Sequence, residues 1–209
     1  MINTLIEQGG VVVYPLLAAS IISLAIILER FYYYIRIRRE IPERIIYLVK
    51  ENLKRGETKE AVKLLKKPSN PMYGILLEGI LVWEEGFEEM ERVMSDAKMT
   101  EFPRMEKYLA MLHFIGKMSP SLGLLGTVIG MIKTFHFLSL NVESQQLAQG
   151  ISEALITTAF GMIISITALA AYYYFMNKAE YVVKHTEKRE LELIHYIQKL
   201  GEKNVPVQD

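Results

Sequence analysis

The sequence contains no cysteine, and this absence excludes disulfide bonds, thiol catalysis and cysteine-ligated metal sites. It also lacks an excess of either charge, because 24 Lys and Arg balance 24 Asp and Glu, so nothing indicates the basic patch of a nucleic-acid-binding protein. The four histidines are scattered, and no HExxH pair, phosphate-binding glycine loop or nucleophile motif is present. We therefore predict no enzyme activity, no metal site, no cofactor and no nucleic-acid partner.

Three stretches of the sequence are nearly free of charge and long enough to cross a membrane. The first, Val11–Leu28, reaches about 27 Å as a helix, close to the thickness of the hydrocarbon core. The other two are centred on 118–140 and 150–176. A cleaved signal peptide is the alternative for the first stretch, but residues 1–10 contain no Lys or Arg. We predict an all-α integral membrane protein with three transmembrane helices.

Basic residues follow the first and third stretches and are missing between the second and third. The positive-inside rule places such residues in the cytoplasm, so each crossing gives the same topology, with the N-terminus outside and the C-terminus inside. These residues are Arg30, Arg36, Arg38, Arg39 and Arg44 after the first stretch, and Lys178, Lys184, Lys188 and Arg189 after the third.

The remaining sequence is charged and helix-periodic, and it indicates a cytoplasmic helical bundle into which the second and third transmembrane helices extend. Ala61, Leu64 and Leu65 fall on one face of a predicted helix. Pro103 predicts a helix boundary or kink. The predicted segments are an external N-terminus over 1–10, a first span over 11–30, a cytoplasmic region over 31–117, a second span over 118–140, an external connection over 141–149, a third span over 150–176 and a cytoplasmic tail over 177–209.

Small residues recur every three or four positions in the second and third spans. They let helix backbones approach closely in lipid, where apolar side chains gain nothing special from mutual contact. Simple helix packing explains such stripes, but two of them exceed what one helix pair needs and favour further helices, from copies of the chain or from a partner. The predicted packing positions are Gly123, Gly126 and Gly130 in the second span, and Gly150, Ala154 and Gly161 in the third.

Ionisable and hydroxyl side chains lie inside the same two spans. An ionisable group within a span is costly, so it usually faces protein or water and often serves ion movement. Glu153 can serve an ion path or pair with Lys133, which can also extend its ammonium to the outer surface. Thr127, Thr157 and Thr158 can bond to their own helix or face a lumen.

Three ordered segments carry a family resemblance. SPSLGLLGTVIGMIKTF (119–135) resembles the second-span signature of the ExbB/TolQ family, and GISEALITTAFGM (150–162) is similar to its third-span signature. GGVVVYPLLAASIISLAIILER (9–30) is similar to its first span, including the closing Glu-Arg. Flagellar MotA-type chains are longer and have four spans, so they fit less well. Ser119 departs from the alanine frequent in the family, and Lys133 occupies a variable position.

The resemblance implies a ring-forming subunit of a proton-motive-force-driven motor in the bacterial inner membrane. In that family five copies surround the single spans of two ExbD/TolR-like subunits, each with a membrane Asp that takes up and releases protons. A TonB- or TolA-like transducer then serves transport or envelope maintenance. The sequence leaves open whether the role is ExbB-like or TolQ-like. The alternative function is a passive membrane scaffold that assembles partner proteins without proton coupling.

Motif position also implies which residues line the proton pathway. Thr127 is the threonine of GLLGTV, Thr158 corresponds to the pore threonine of the third span, and Glu153 is its acidic residue. Thr157 stands where many relatives have Ala, and it is included as a further pore-lining residue. We expect Thr127 and Thr158 to contact the partner's Asp and Glu153 to shape the entrance. The role of Lys133 is not assigned.

Overall fold

The chain is helical wherever it forms regular structure in the residues that the computed structural model describes, which are 11–37, 41–66, 70–139 and 144–204. The elements are α1 (Val13–Arg36), α2 (Glu43–Lys54), α3 (Thr58–Leu65), α4 (Pro71–Leu81), a 3₁₀ turn (Trp83–Glu85), α5 (Phe87–Met105), α6 (Leu109–Ser139) and α7 (Ser144–Asn204). The prediction of an all-helical chain is therefore confirmed over these ranges. The predicted N-terminal segment 1–10, residue 140 of the predicted second span and residues 141–143 of the predicted connection lie outside them.

Three helical stretches are long and apolar enough to cross a membrane: Val13–Arg36, Phe87–His136 and Gly150–Leu200. In their most apolar windows only 28%, 33% and 33% of the residues are buried within the chain. Most apolar side chains of these stretches therefore face outward, as lipid or neighbouring protein requires. The prediction of three candidate membrane spans is confirmed.

The chain divides into two compact units. The first unit takes the chain up to Phe31 together with Tyr108–Phe175, so it contains most of α1, all of α6 and the N-terminal half of α7. Its described buried side chains come from all three helices. They include Leu16 and Ile26 of α1, Leu112 and Ile115 of α6, and Ile164, Ala168 and Phe175 of α7.

The second unit takes Tyr32–Lys107 and the chain from Met176 onward, and it is a helical bundle with its own apolar core. Ala61 and Leu65 are buried in this core and Leu64 packs against it, which confirms the predicted apolar face of α3. Glu190 of α7 is also buried, and its carboxylate lies 2.8 Å from the Lys98 ammonium of α5. The remaining core residues include Ile46, Val49 and Leu53 of α2, Met72, Ile75, Leu76 and Ile80 of α4, Met90 and Met94 of α5, and Leu193, Ile194 and Ile197 of α7.

Two helix ends differ from the sequence-based prediction. Helix α5 continues past Pro103 to Met105, and the break follows at Tyr108, whose φ of 67° is left-handed. A proline close to a helix end removes one hydrogen bond there, whereas a left-handed residue stops the helix outright. Helix α7 already begins at Ser144, inside the predicted connection 141–149, because the sequence SQQLAQ contains no glycine or proline to prevent it.

Candidate functional site

Helices α6 and α7 pack backbone to backbone in the first unit. A methyl group added at Gly123 would lie 3.0 Å from Thr158 Cα, and one added at Gly161 would lie 2.5 Å from the Ser119 carbonyl oxygen. Such separations leave no space for a side chain at either position. The glycines are therefore required by the close approach of the two helices.

The same close approach continues toward the outer end of the predicted spans. Gly126 faces the Thr157 side chain, Gly130 faces Ala154, and Gly150 faces the Thr134 hydroxyl. The two small-residue stripes therefore pack against each other within one chain. The sequence-based inference that two stripes indicate further helices is therefore not supported, because each stripe is occupied by the other.

The three threonines have different hydrogen-bond partners. The Thr127 hydroxyl donates to the Leu124 carbonyl at 2.7 Å and the Thr157 hydroxyl to the Glu153 carbonyl at 2.9 Å, both within their own helices. The Thr158 hydroxyl instead donates across the helix pair to the Gly123 carbonyl at 2.9 Å. Thr158 thus links α7 to α6.

Glu153, Thr157 and Lys133 line one narrow cleft. Val11 and Val12, which directly precede α1, also line it, together with Gly126, Ile129, Gly130 and Ala154. Thr157 is 1% exposed, whereas the Lys133 side chain is exposed and Glu153 is half-buried. The described ion pairs do not include one between Lys133 and Glu153.

Thr127 and Thr158 lie on another side of the helix pair. At 100° per residue, Thr158 is about 140° around α7 from Glu153, and Thr127 is about 120° around α6 from Lys133. Neither threonine lines the cleft. The structure therefore separates the four predicted proton-pathway residues into two pairs, Thr127 with Thr158 and Glu153 with Thr157.

Ser165, a small residue of the third span whose hydrogen-bonding role was not predicted, also links the two helices. Pro120 has no amide hydrogen, so the carbonyl four residues earlier, that of Gly116, loses its helical partner. The Ser165 hydroxyl of α7 donates to this carbonyl at 2.6 Å. The signal was present in the sequence, because a proline inside a membrane span always frees a carbonyl that a neighbouring hydroxyl can satisfy.

Arg30 is a second residue whose surroundings were not anticipated. The side chain is 2% exposed, forms an ion pair with Glu29 and lies 5.7 Å from the centroid of the Tyr108 ring. A buried guanidinium needs such partners because its charge is costly to remove from water. The only signal for this residue was the closing Glu-Arg of the first-span motif.

Metal binding has no visible basis in this site. The part of the chain that the structure describes contains no group of three or more His, Asp or Glu side chains arranged to hold a metal ion. Its chemistry therefore consists of hydroxyls, backbone carbonyls, one carboxylate and one ammonium. All of these groups form hydrogen bonds, and the carboxylate and the ammonium are also ionisable.

Comparison with known proteins agrees with this chemistry. Residues 63–188, more than half of the chain, match the MotA/TolQ/ExbB proton channel family. An ExbB homolog of biopolymer transport from Methanothermobacter thermautotrophicus is 32% identical over 174 residues, which cover 83% of this chain and 62% of that protein. The chain thus spans less than two thirds of that relative's length.

Two further relatives extend the comparison. A biopolymer transport protein described as ExbB-like 3, from Synechocystis sp., is 29% identical over 196 residues, covering 90% of this chain and 91% of that protein. The Tol-Pal system protein TolQ from Pseudomonas aeruginosa is 37% identical over 99 residues, covering 46% of this chain and 42% of that protein.

The fold and the site define a multi-pass membrane protein with hydroxyl and ionisable side chains inside its spans. The family that matches this chain is described as a family of proton channels. The chain belongs to the MotA/TolQ/ExbB proton channel family. The predicted resemblance to ExbB and TolQ is thereby confirmed.

Proposed function

We propose that this chain is the ring-forming subunit of an inner-membrane motor driven by the proton motive force, of the ExbB–ExbD or TolQ–TolR kind. Five copies enclose two single-span partner subunits, each with a membrane Asp, and a TonB- or TolA-like transducer carries the work onward. The names of the relatives, which describe biopolymer transport and the Tol-Pal system, support this assignment.

The proposed topology follows from the distribution of basic residues. The N-terminal segment 1–10 and the connection 141–149 lie in the periplasm, and 31–117 and 177–209 lie in the cytoplasm. The three spans are 11–30, 118–140 and 150–176. The third span continues along α7 into the second unit, and the second span is connected to that unit through the break at Tyr108.

The observation that carries the proposal is the side of the α6–α7 pair that bears Thr127 and Thr158. Both hydroxyls are partly exposed there, among large apolar side chains that are exposed in the single chain. Hydroxyls on such a surface gain from a polar group brought by another chain, because lipid offers them none. The neighbouring apolar side chains are Leu124, Val128 and Met131 of α6, and Ile151, Leu155 and Met162 of α7.

The Thr158 hydroxyl can serve both protonation states of a partner carboxyl group. While it donates to the Gly123 carbonyl, its lone pairs can accept the proton of a neutral carboxylic acid. When the carboxyl group ionises, the hydroxyl can rotate and donate to the carboxylate instead. The Gly123 carbonyl retains its helical partner, the amide of Thr127, so this rotation leaves no buried acceptor without a hydrogen bond.

Glu153 and Thr157 act apart from this contact. Thr157 packs against Gly126 and keeps its hydroxyl on its own helix, so it forms the wall behind the pore surface. Glu153 lies closer to the outer end of the span and shapes the entrance from the cleft side. Only Thr127 and Thr158 contact the partner's Asp.

Substitution of Thr158 tests the proposal. Thr158→Val keeps the shape and removes the hydroxyl, so the chain assembled with its single-span partner should lose about tenfold or more in proton uptake by membrane vesicles, as expected for loss of a polar contact to a charged group. Thr158→Ser should retain most of the activity.

Thr167→Val is the matched control. Thr167 is an exposed threonine of the same helix, and its hydroxyl donates only to the Ile163 and Ile164 carbonyls of its own helix. It should therefore have little effect. Full proton uptake by the Thr158→Val complex would contradict the role proposed for Thr158, whereas a native complex that takes up no protons would favour the passive scaffold.

A further inference from the structure

A groove in the second unit is lined by tyrosine and basic side chains that the proposed pore mechanism does not use. It lies between α2 and the C-terminal part of α7, and its volume is about 510 Å³. One of its tyrosines, Tyr47, is 65% exposed in the single chain. The lining residues are Tyr47, Lys50, Glu51 and Lys54 of α2, Arg55 directly after it, and Tyr196 of α7.

The groove carries a surplus of positive charge. Arg55 and Glu51 form an ion pair with each other, which leaves the ammonium groups of the two lysines. The Lys50 ammonium lies 5.7 Å from the centroid of the Tyr196 ring, a contact that orients the cation without neutralising it. The ion pairs of the described residues include none for Lys54. Tyrosine is enriched where proteins meet, and the surplus charge selects an acidic occupant.

The same chain exposes an acidic segment, residues 84–91. Five of these eight residues are Glu, and none is Lys or Arg. Phe87 is 38% exposed within the segment, so it offers an aromatic ring as well as charge. Such a ring can pack on the tyrosines while the carboxylates face the lysines. The exposed carboxylates are those of Glu84, Glu85, Glu88 and Glu91.

The groove and the acidic segment lie on different sides of the bundle. Each of the helices α2, α3, α4 and α5 packs against the next. Helix α7 contacts α5 through Lys98 and Glu190, and it contacts α2 through Glu43 and Arg189. Around the bundle the order is therefore α2, α3, α4, α5 and α7. The groove lies between α7 and α2, whereas the acidic segment begins in the connection between α4 and α5, across the bundle.

The two surfaces also lie at a similar height along the bundle. Helix α5 leads out of the second unit and α7 leads into it, so the two run in opposite directions. From the contact of Lys98 with Glu190, Glu91 lies about 10 Å back along α5 and Tyr196 about 9 Å onward along α7. A ring whose axis follows these helices is generated by rotation alone, so it brings together surfaces of equal height.

We propose that the acidic segment of one copy of this chain docks into the groove of the next copy in the ring. Glu88 and Glu91 then face the ammonium groups of Lys50 and Lys54. Two different surfaces meet in such a contact, which is the head-to-tail type that closes into rings. Lipid headgroups do not fit, because Tyr196 lies about 30 Å of helix beyond residue 176, where the proposed third span ends. The inference rests on the proposed function, which supplies the ring.

Disulfide trapping tests this contact, and the chain has no cysteine of its own to interfere. A chain with both Lys54→Cys and Glu88→Cys should, after oxidation in its membrane, give a ladder of linked chains that ends at the full ring. Each single variant should remain monomeric on a denaturing gel, because Lys54 meets Glu88 and not a second Lys54. Lys63→Cys with Glu88→Cys is the matched control and should not be linked, since Lys63 is an exposed lysine of α3 that does not line the groove.

Charge reversal supplies a second measurement. Lys50→Glu with Lys54→Glu places like charges opposite each other, so half-assembly of the purified chain in detergent should require about tenfold more protein. Adding Glu88→Lys and Glu91→Lys to the same chain reverses both surfaces and should return this concentration to within about threefold of the native value. Absence of this rescue would overturn the inference, and so would a control ladder as strong as that of the Lys54 and Glu88 pair.

The contact and the proposed function fail separately. A native chain that forms no oligomer in its membrane overturns both. If the native complex forms a ring and takes up protons while the Lys54 and Glu88 pair is not linked, the ring stands and the contact falls. If the pair is linked while the Thr158→Val complex takes up protons fully, the contact stands and the pore role of Thr158 falls. A photo-cross-linker on the Lys54→Cys chain that reaches only the single-span partner would overturn the inference and make that partner the occupant.

Discussion

Neighbouring residues on α7 have unlike surroundings. Thr157 and Thr158 differ by one position, yet one hydroxyl stays on its own helix and the other reaches Gly123 of α6. Successive residues of a helix are rotated by about 100°, which is enough to place Thr157 between the two helices and Thr158 at the edge of their contact. Sequence alone left both readings open for each threonine, because a hydroxyl inside a span can always bond to its own helix.

The close contact of α6 and α7 at Gly123, Gly126, Gly130, Gly150 and Gly161, called the glycine seam below, predicts the effect of substituting a single glycine. Gly161→Ala would place a methyl group 2.5 Å from the Ser119 carbonyl oxygen and 3.1 Å from Gly123 Cα. Both neighbours are backbone atoms, so the helices must separate to accommodate the methyl group. We therefore expect the free energy of unfolding to fall by about 1–3 kcal/mol. The unfolding midpoint in detergent measures it.

Gly74→Ala is the comparison for that measurement. Gly74 lies within helix α4, and a methyl group there meets no atom within 4 Å. The substitution should raise stability by roughly 0.5–1 kcal/mol, since alanine favours a helix over glycine. Equal effects of the two substitutions would show that close approach does not determine the role of Gly161.

The sequence predicted that the small residues form packing faces, but it did not predict which residues those faces contact. The spacing of Gly123, Gly126 and Gly130 defines one helix face directly. That this face meets Gly150, Ala154 and Gly161 of the same chain depends on how the two helices pair, which periodicity does not specify. The burial of Arg30 was likewise out of reach, because its neighbour Tyr108 is distant in sequence.

At the scale of a helix, α6 keeps its regular course through Pro120 with the help of α7. Ser165→Ala removes the donor that satisfies the Gly116 carbonyl, and leaving it unsatisfied should cost about 1–3 kcal/mol. Pro120→Ala restores an amide to the same carbonyl. In the Pro120→Ala variant, Ser165→Ala should therefore lower the free energy of unfolding by at least about 1 kcal/mol less than it does in the native chain.

The four unfolding midpoints of this double-mutant cycle make the measurement. Equal costs of Ser165→Ala with and without Pro120 would mean that the serine does not replace the missing amide.

The boundaries of α5 and α7 illustrate the limit of sequence reasoning at this scale. The boundary at Pro103 was predicted from a helix-breaking residue, and the connection 141–149 was predicted as the segment between two apolar runs. The actual helix ends depend on Tyr108 and on the absence of glycine and proline just after Ser144.

At the scale of the whole molecule, the three membrane spans and the helical class could be predicted because the bilayer dictates both length and composition. The number of copies could not, since the packing stripes that suggested further helices are occupied within one chain. What still points to neighbouring subunits is the large exposed apolar surface beside Thr127 and Thr158.

Native mass spectrometry checks this larger assembly. We expect five copies of this chain with two copies of a single-span partner, in accordance with the proposed ring. Chain alone, released from the membrane with its partner absent, should retain the same copy number, because the ring is built from this subunit. A monomer under both conditions would contradict the ring.

The glycine seam between α6 and α7 has one more consequence. Side chains that interlock can switch rotamers and let two helices slip past each other in small steps, but the centre of this contact consists of main-chain atoms. Because main-chain atoms have no side-chain rotamers to change, we expect α6 and α7 to move together as one rigid body. In the proposed ring, any sliding or turning during proton flow is then expected where this helix pair meets other subunits, on exposed leucine, isoleucine and methionine side chains whose flexible ends can re-form contacts at each step.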